Sequence, residues 1–138
     1  MKIKKIIGFT NGCFDILHLG HIELLKKAKS KCDFLIVALN SDKSIKKIKG
    51  NKRPILNLKN RMKVIKSIKY VDKAIVFDER NPLKLIKKIK PDIIFKGSDY
   101  KLKNIIGYDF QIEREKKIET ITLDRNLSTK KIIKKLQK

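Results

Sequence analysis

The sequence contains no tryptophan, two cysteines, three prolines and few aromatic residues in 138 positions. Cys13 and Cys32 form no CxxC pair and no cluster with metal-ligand spacing, which argues against a disulfide framework or a compact zinc finger. The scarcity of aromatic side chains also argues against a surface that stacks nucleic-acid bases. We interpret the two cysteines as reduced thiols of a cytoplasmic protein.

Long apolar segments are also missing. The longest stretches without a charged residue, 6–14 and 34–41, are far shorter than the roughly 18–20 residues that a membrane span needs. The basic N-terminal residues are followed neither by a sufficient apolar region nor by a small-residue cleavage site, so no secretory signal is predicted. The length predicts a single domain over residues 1–138, with no membrane partner.

Acidic residues are few. The chain has 14 Asp and Glu residues and 36 Lys and Arg residues, which gives a net charge of +22. Such a charge by itself indicates nucleic acid or an anionic surface. However, 31 of the basic residues are Lys, five are Arg and 23 residues are Ile, which is typical of a genome rich in A and T. Sites selected for phosphate recognition would favour Arg. We therefore interpret most lysines as solvated helix faces and expect no specific nucleic-acid partner, only weak binding at low salt.

Short apolar runs alternate with amphipathic stretches along the whole chain, which is typical of an α/β protein. The pattern predicts a Rossmann-like, doubly wound parallel sheet of about five strands, whose ligands bind at the carboxyl ends of the strands. The predicted strands cover 3–10, 33–40, 73–77, 92–95 and 118–123, and the predicted helices cover 21–30, 58–69, 81–90 and 128–136.

The turn after the first strand holds both histidines of the chain, within the segment TNGCFDILHLGH at 10–21. Gly12 and Gly20 permit a close backbone approach, while His18 and His21 project to one side of the first helical turn. Free N–H groups at a helix N-terminus bind phosphate groups well. A zinc site would lack a third ligand, a Ser-His-Asp hydrolase would lack GxSxG, and two core histidines remain as the structural alternative.

The residues His18-Leu19-Gly20-His21 match the HxGH signature, and the chain resembles the nucleotidylyltransferase superfamily. The longer segment is most similar to heptose-1-phosphate adenylyltransferases, including the adenylyl-transfer domain of the bifunctional heptose kinase/adenylyltransferases. Cytidylyltransferases for glycerol 3-phosphate share several of the same elements. The resemblance continues, in order, through Asn40-Ser41-Asp42, Lys49-Gly50, Arg53-Pro54, Arg61-Met62, Val71-Asp72, 91–100 and Ser128-Thr129.

This resemblance implies nucleotidyl transfer from ATP, with Mg²⁺, to a sugar 1-phosphate. It implies catalytic roles for His18, His21 and Lys49, with Lys49 on the loop after the second strand. It also implies acceptor contacts by Asp15 and Asp42 and a possible homodimer. No metal ligand from the protein is predicted, because such sites hold Mg²⁺ mainly through phosphates and water. The implied nucleotide-binding residues are Asn11, Gly12, Cys13, Phe14, Gly20, Lys47, Gly97, Asp99, Arg125, Ser128 and Thr129.

Two rival functions stay open on the sequence. A CTP-dependent cytidylyltransferase for glycerol 3-phosphate or a related alcohol phosphate would use the same motifs. A catalytically silent nucleic-acid-binding or regulatory module would account for the charge, although the intact HxGH segment argues against it.

The first turn of the last predicted helix carries two positive charges, Lys130 and Lys131. Each is unfavourable there by about 0.3–1 kcal/mol, because a helix N-terminus carries a positive partial charge. A bound anion would offset this cost, so the pattern favours an anion site at the start of the helix.

Overall fold

A computed structural model describes residues 4–123 and 128–137. All four strand pairings are parallel, and the five-stranded sheet has the order β3-β2-β1-β4-β5. The predicted Rossmann-like α/β class is therefore confirmed. The strands are β1 Ile7–Gly12, β2 Phe34–Asn40, β3 Lys73–Phe77, β4 Ile93–Gly97 and β5 Lys117–Ile121. The helices are α1 Leu19–Ser30, α2 Asp42–Lys49, α3 Leu58–Lys66, α4 Leu83–Ile89, α5 Tyr108–Glu113 and α6 Thr129–Leu136, with a 3₁₀ turn at Leu102–Asn104.

Strand β2 is apolar along nearly its whole length because the sheet buries it on both faces. Leu35, Val37 and Leu39 pack in a core with residues of α1 and α3. Ile36 and Ala38 alternate with them and pack on the other face, in a core that includes Ile86 of α4. The α1 side and the α4 side of the sheet are named after these helices below.

Strand β1 differs from its predicted position, since it starts at Ile7 and continues through Gly12. Asn11 and Gly12 therefore belong to the strand itself and not to the turn that follows. Pairing with β2 extends to Gly12 opposite Leu39, and this pairing holds the end of β1 in the sheet. Residue 3 of the predicted strand lies outside the described residues.

Two helices, α2 and α5, were not expected from the apolar spacing. In α2, Ile45 is buried and Ile48 is exposed, while lysines occupy four of the eight positions, so the apolar period is weak. The helix is instead started by Ser41, whose hydroxyl accepts a hydrogen bond from the Ser44 N–H at 3.1 Å. In the described part of the chain, no helix is long and apolar enough to cross a bilayer.

Candidate functional site

The sheet changes its winding direction between β1 and β4, and the chain leaving β1 enters α1 at this point. His18 is the N-cap of α1, with extended backbone angles. Its Nδ1 accepts a hydrogen bond from the Gly20 N–H at 3.1 Å, and Nδ1 of His21 accepts one from the His18 N–H at 3.2 Å. The two imidazoles thus perform the reciprocal capping that Ser and Glu side chains perform elsewhere.

This capping decides which ring nitrogen is available to a ligand. A neutral imidazole whose Nδ1 accepts a hydrogen bond carries its proton on Nε2. Both histidines therefore offer an Nε2–H donor away from the backbone they cap. The ring centroids of His18 and His21 are 4.0 Å apart, so the two donors belong to one small cluster.

Burial keeps both imidazoles neutral. It lowers the pKa of His18, and it lowers that of His21 to about 4, to which the nearby charges of His18 and Lys49 also contribute. The Phe14 ring, whose centroid is 5.3 Å from that of His21, forms part of the apolar surroundings. At neutral pH the pair consequently consists of hydrogen-bond donors without a full positive charge.

Gly20 is required by the position of the His18 ring. A Cβ atom at residue 20 would lie 2.9 Å from Cε1 and 3.0 Å from Nδ1 of His18, closer than real contacts allow. The glycine of the HxGH segment therefore lets the imidazole lie over the first turn of α1. Gly12 is less tightly restricted, because an added Cβ would lie 3.1 Å from the Phe14 ring, which would have to move by a few tenths of an ångström.

Lys49 does not lie on a loop, as the sequence suggested, but is the last residue of α2. Its charge is one of the causes that lower the pKa of His21. Lys47 is exposed on the same helix. The structure thus associates Lys49 with the histidine pair, and a cation at a helix C-terminus is also favoured by the helix dipole.

The start of α6 reaches the same region. Thr129 donates its hydroxyl hydrogen to the Ile16 carbonyl oxygen at 3.0 Å, which attaches α6 to the segment between β1 and α1. Ser128 caps the helix, because its hydroxyl accepts a hydrogen bond from the Lys131 N–H at 3.1 Å. Arg125 lies outside the described residues.

Residues 9–135 match the cytidylyltransferase-like family, which is most of the chain. The chain belongs to this family. The relationship predicted from the HxGH segment is therefore confirmed, and the expectation that the chain is a nucleotidyltransferase is confirmed at the level of the family.

Individual relatives of this cytidylyltransferase-like chain agree with the family match. The bifunctional protein HldE of Campylobacter jejuni subsp. doylei is 48% identical over 136 residues, which cover 99% of this chain and 28% of that protein. HldE of Helicobacter pylori strain HPAG1 is 47% identical over 135 residues, which cover 98% of this chain and 28% of that protein. The chain thus spans just over a quarter of the length of these curated relatives.

Two solved structures share the fold. The lipopolysaccharide core biosynthesis protein from Thermoplasma volcanium superposes with a TM-score of 0.69 at 31% identity, covering 88% of this chain and 98% of that one. A pantoate-beta-alanine ligase from Francisella tularensis superposes with a TM-score of 0.67 at 20% identity, covering 94% of this chain and 65% of that one. The second similarity supports the fold alone.

Asp15 has a different position from the one expected of an acceptor-binding residue. Its side chain is fully buried, and it accepts hydrogen bonds from Arg53 Nε at 2.7 Å and from the N–H groups of Ile55 and Leu56. Burial raises the pKa of Asp15, but these hydrogen bonds outweigh that effect and lower it overall. The predicted substrate contact is not supported, because both carboxylate oxygens already bind protein groups that hold the 53–56 segment.

Arg61 is a structural residue that the sequence reasoning did not assign to the site. Its guanidinium is buried and donates to the carbonyl oxygens of Cys13, Asn40 and Leu56 at 2.7 to 3.0 Å. It also pairs with Asp42 at 2.7 Å, whose side chain is 40% exposed. Asp42 thus remains reachable from solvent, while its carboxylate is oriented by Arg61.

The end of β4 contributes the remaining predicted residues. Asp99 is exposed, and its carboxylate bends back toward buried Gly97, where a Cβ would lie 2.8 Å from Oδ1. The sequence reasoning missed Lys96, whose ammonium donates to the Asn11 carbonyl oxygen at 2.9 Å. One signal was available, because Lys96 interrupts an otherwise apolar strand.

Metal ligation by the protein was not expected. Within residues 4–123 and 128–137, no three His, Cys, Asp or Glu side chains are grouped so that they could hold an ion. Asp15 is committed to Arg53, and Asp42 to Arg61.

Proposed function

We propose that this domain transfers a nucleotidyl group from ATP to a sugar 1-phosphate, namely D-glycero-manno-heptose 1-phosphate, giving ADP-heptose and pyrophosphate. The observation that carries the proposal is the pair of Nε2–H donors that the reciprocal capping leaves available at the start of α1. The charge of Lys49 also acts on His21. The identity of the acceptor rests on the resemblance to heptose-1-phosphate adenylyltransferases and on the relatives named HldE.

The reaction needs little covalent chemistry from the protein. An oxygen of the acceptor phosphate attacks the α-phosphorus and forms a new P–O bond, while the bond to the β-phosphate oxygen breaks. Pyrophosphate leaves with the electron pair of that bond. No proton has to be removed from the nucleophile, because a phosphate monoester is largely ionised at pH 7. Catalysis therefore consists of positioning and of stabilising charge on the phosphate oxygens.

Each residue of the proposed site has a task that suits its structure. His18 and His21 donate hydrogen bonds to the oxygens around the α-phosphorus, where charge develops. Lys49, with Lys47 as a weaker companion, neutralises the triphosphate. Ser128 and Thr129 place the start of α6 near the leaving pyrophosphate. The nucleoside lies along the backbone of Asn11, Gly12, Cys13 and Phe14, with Gly97 and Asp99 at its other side, and Asp42 faces the acceptor.

The deciding experiment measures pyrophosphate release for the four nucleoside triphosphates against heptose 1-phosphate, glycerol 3-phosphate and phosphocholine. We expect turnover with ATP and heptose 1-phosphate, and its loss in the His18→Ala control. Turnover with CTP and glycerol 3-phosphate or phosphocholine would instead select the cytidylyltransferase alternative. No combination exceeding the His18→Ala background would overturn the enzymatic proposal and favour the silent nucleic-acid-binding or regulatory module.

Two partner expectations accompany the proposal. We propose that nucleic acid binds weakly and without sequence preference, with an affinity that falls steeply as salt rises. A homodimer is proposed by analogy with the family, and sedimentation velocity on the full chain measures it. A monomer at all concentrations would exclude the dimer without affecting the catalytic proposal.

A further inference from the structure

Strands β1 and β4 separate toward their carboxyl ends. They pair only at Gly8 with Ile93 and at Phe9 with Ile94, although both strands continue further. Beyond that pairing, side chains bridge the strands. The Thr10 hydroxyl donates to the Phe95 carbonyl oxygen at 3.0 Å, and Lys96 Nζ donates to the Asn11 carbonyl oxygen. This is the change of winding direction, where doubly wound sheets bind ligands in a crevice outside the carboxyl ends of their strands. Lys96, the fourth residue of β4, lies at this end of the strand.

Lys96 differs from the many exposed lysines of this chain. It is partly buried, and burial lowers its pKa to about 8, while the nearby Cys13 and Asp99 act to raise it. No carboxylate of the described residues forms a salt bridge with it, and the Tyr100 ring centroid is 5.5 Å away. An ammonium has three donors, and the Asn11 carbonyl uses one. Two N–H donors remain for a ligand in the crevice.

Lys96 and the histidine pair are on different sides of the sheet. Ile93 and Phe95 pack in the core that contains the α1 residues, whereas Ile94 packs in the core that contains Ile86 of α4. Because side chains alternate along a strand, Lys96 projects toward the α4 side. The Nε2–H donors of His18 and His21 belong to the start of α1, on the α1 side. The crevice therefore has cationic or donor groups on both of its sides.

We propose that Lys96 binds the phosphate of the acceptor and holds it for in-line attack. This inference rests on the proposed function, in which two phosphate-bearing substrates must meet. In-line displacement places the attacking oxygen and the leaving oxygen on opposite sides of the α-phosphorus. With the leaving pyrophosphate on the α1 side, near Lys49 and the start of α6, the attacking phosphate comes from the α4 side. The two free donors of Lys96 are on that side.

Steady-state kinetics of Lys96→Gln test the assignment. Gln can still donate to the Asn11 carbonyl but removes the charge, so we expect KM for the acceptor to rise at least tenfold and KM for ATP to change less than twofold. Lys101→Gln removes the same charge from an exposed residue of the connection that follows β4, and it should leave both KM values unchanged. A rise in KM for ATP alone would assign Lys96 to the nucleotide, and unchanged KM values would make it a purely structural bridge; either result overturns the proposal.

A second measurement does not depend on turnover. The ¹³Cε resonance of Lys96, assigned by its loss in Lys96→Gln, is titrated against pH with and without inorganic phosphate in the full chain. We expect phosphate to raise the pKa of Lys96 by at least one unit, and the Lys101 resonance to stay unaffected. An unchanged Lys96 titration would overturn the phosphate assignment even if the enzyme is active. A clear shift in an inactive protein would leave the phosphate site standing while the proposed function fails.

Discussion

The N–H of His18 donates to Nδ1 of His21 at 3.2 Å, and this bond fixes the direction of the second imidazole. The first imidazole is fixed in the same way by the Gly20 N–H. The start of α1 is consequently closed by the residues that would contact the α-phosphate. Capping uses Nδ1 of both rings and the proposed catalytic role uses Nε2, so the two roles can be separated by substitution.

The variants His18→Asn and His21→Gln should separate helix capping from the proposed donation to phosphate. Asn is a good N-cap, and Gln at the third helical position can complete the capping box. We expect these variants to keep the free energy of unfolding within about 1 kcal/mol but to lower kcat/KM by roughly 10²–10³, as loss of a transition-state donor does. The matching Ala variants should lose a further ~1 kcal/mol of stability. Full activity in the Asn and Gln variants would refute the role of the Nε2–H donors.

The stability of the fold should depend on pH through His21. Its pKa is about 4 in the folded chain, against 6.5 for the unperturbed group. The unfolded chain therefore binds more protons between these values, and stability falls as the pH drops from 6.5 toward 4. At about 1.4 kcal/mol per pKa unit, the loss amounts to at most ~3 kcal/mol.

Urea unfolding of the wild type and of His21→Gln at pH 7 and pH 4.5 isolates this contribution. The carboxylates titrate in both proteins, so the difference between them reports His21. The wild type should lose more stability on acidification than the variant. Equal losses would show that His21 is not held neutral by the fold.

Lys49 and Lys46 provide a matched pair on α2. Both lysines are exposed, and the charge of Lys49 contributes to the lowered pKa of His21. We expect Lys49→Ala to lower kcat/KM for the nucleotide at least tenfold, about 1.4 kcal/mol of transition-state stabilisation, and Lys46→Ala to change it less than twofold. Small and equal effects would assign Lys49 to the general lysine-rich surface.

Arg61 should be far more important for stability than its partner Asp42. Replacing Arg61 by Met leaves the carbonyl groups of Cys13 and Asn40 without their donor in a buried position. We expect a loss of roughly 3–5 kcal/mol, as for one side of a buried ionic network. Asp42→Asn should cost less than about 1 kcal/mol, because that side chain is partly solvated. Denaturant unfolding of both variants measures the contrast, and similar losses would contradict it.

Much of the fold could be predicted because apolar runs and the helical spacing of apolar residues are local sequence patterns. The apolar run of β2 reflects burial on both faces, and the predicted helix 58–69 starts where α3 starts, at Leu58. Prediction was weaker where lysine replaced apolar residues, as in α2. The position of Lys49 was misjudged for this reason, since a residue assigned to a loop proved to be the last residue of a helix.

The candidate site was only partly predictable. His18, Gly20 and His21 are close in sequence, so a local motif could identify them. Asp15 lies 38 residues from Arg53 along the chain, and Lys96 lies 85 residues from Asn11. No local sequence pattern predicts either contact. The Asp15 carboxylate is fully used by hydrogen bonds within the protein, whereas the Lys96 ammonium keeps N–H donors for a ligand.

The sequence by itself determined the α/β class, the HxGH segment and membership of the cytidylyltransferase-like family, because each depends on residues within one element or on their order. It also showed that most of the +22 charge is carried by lysine. Tertiary structure alone decided that Lys96 lies at the change of winding direction and that Asp15 is paired with Arg53 in the interior. The reason is the parallel sheet, whose crossovers bring the ends of distant strands to a single edge, so that burial and pairing are set by neighbours remote in the chain.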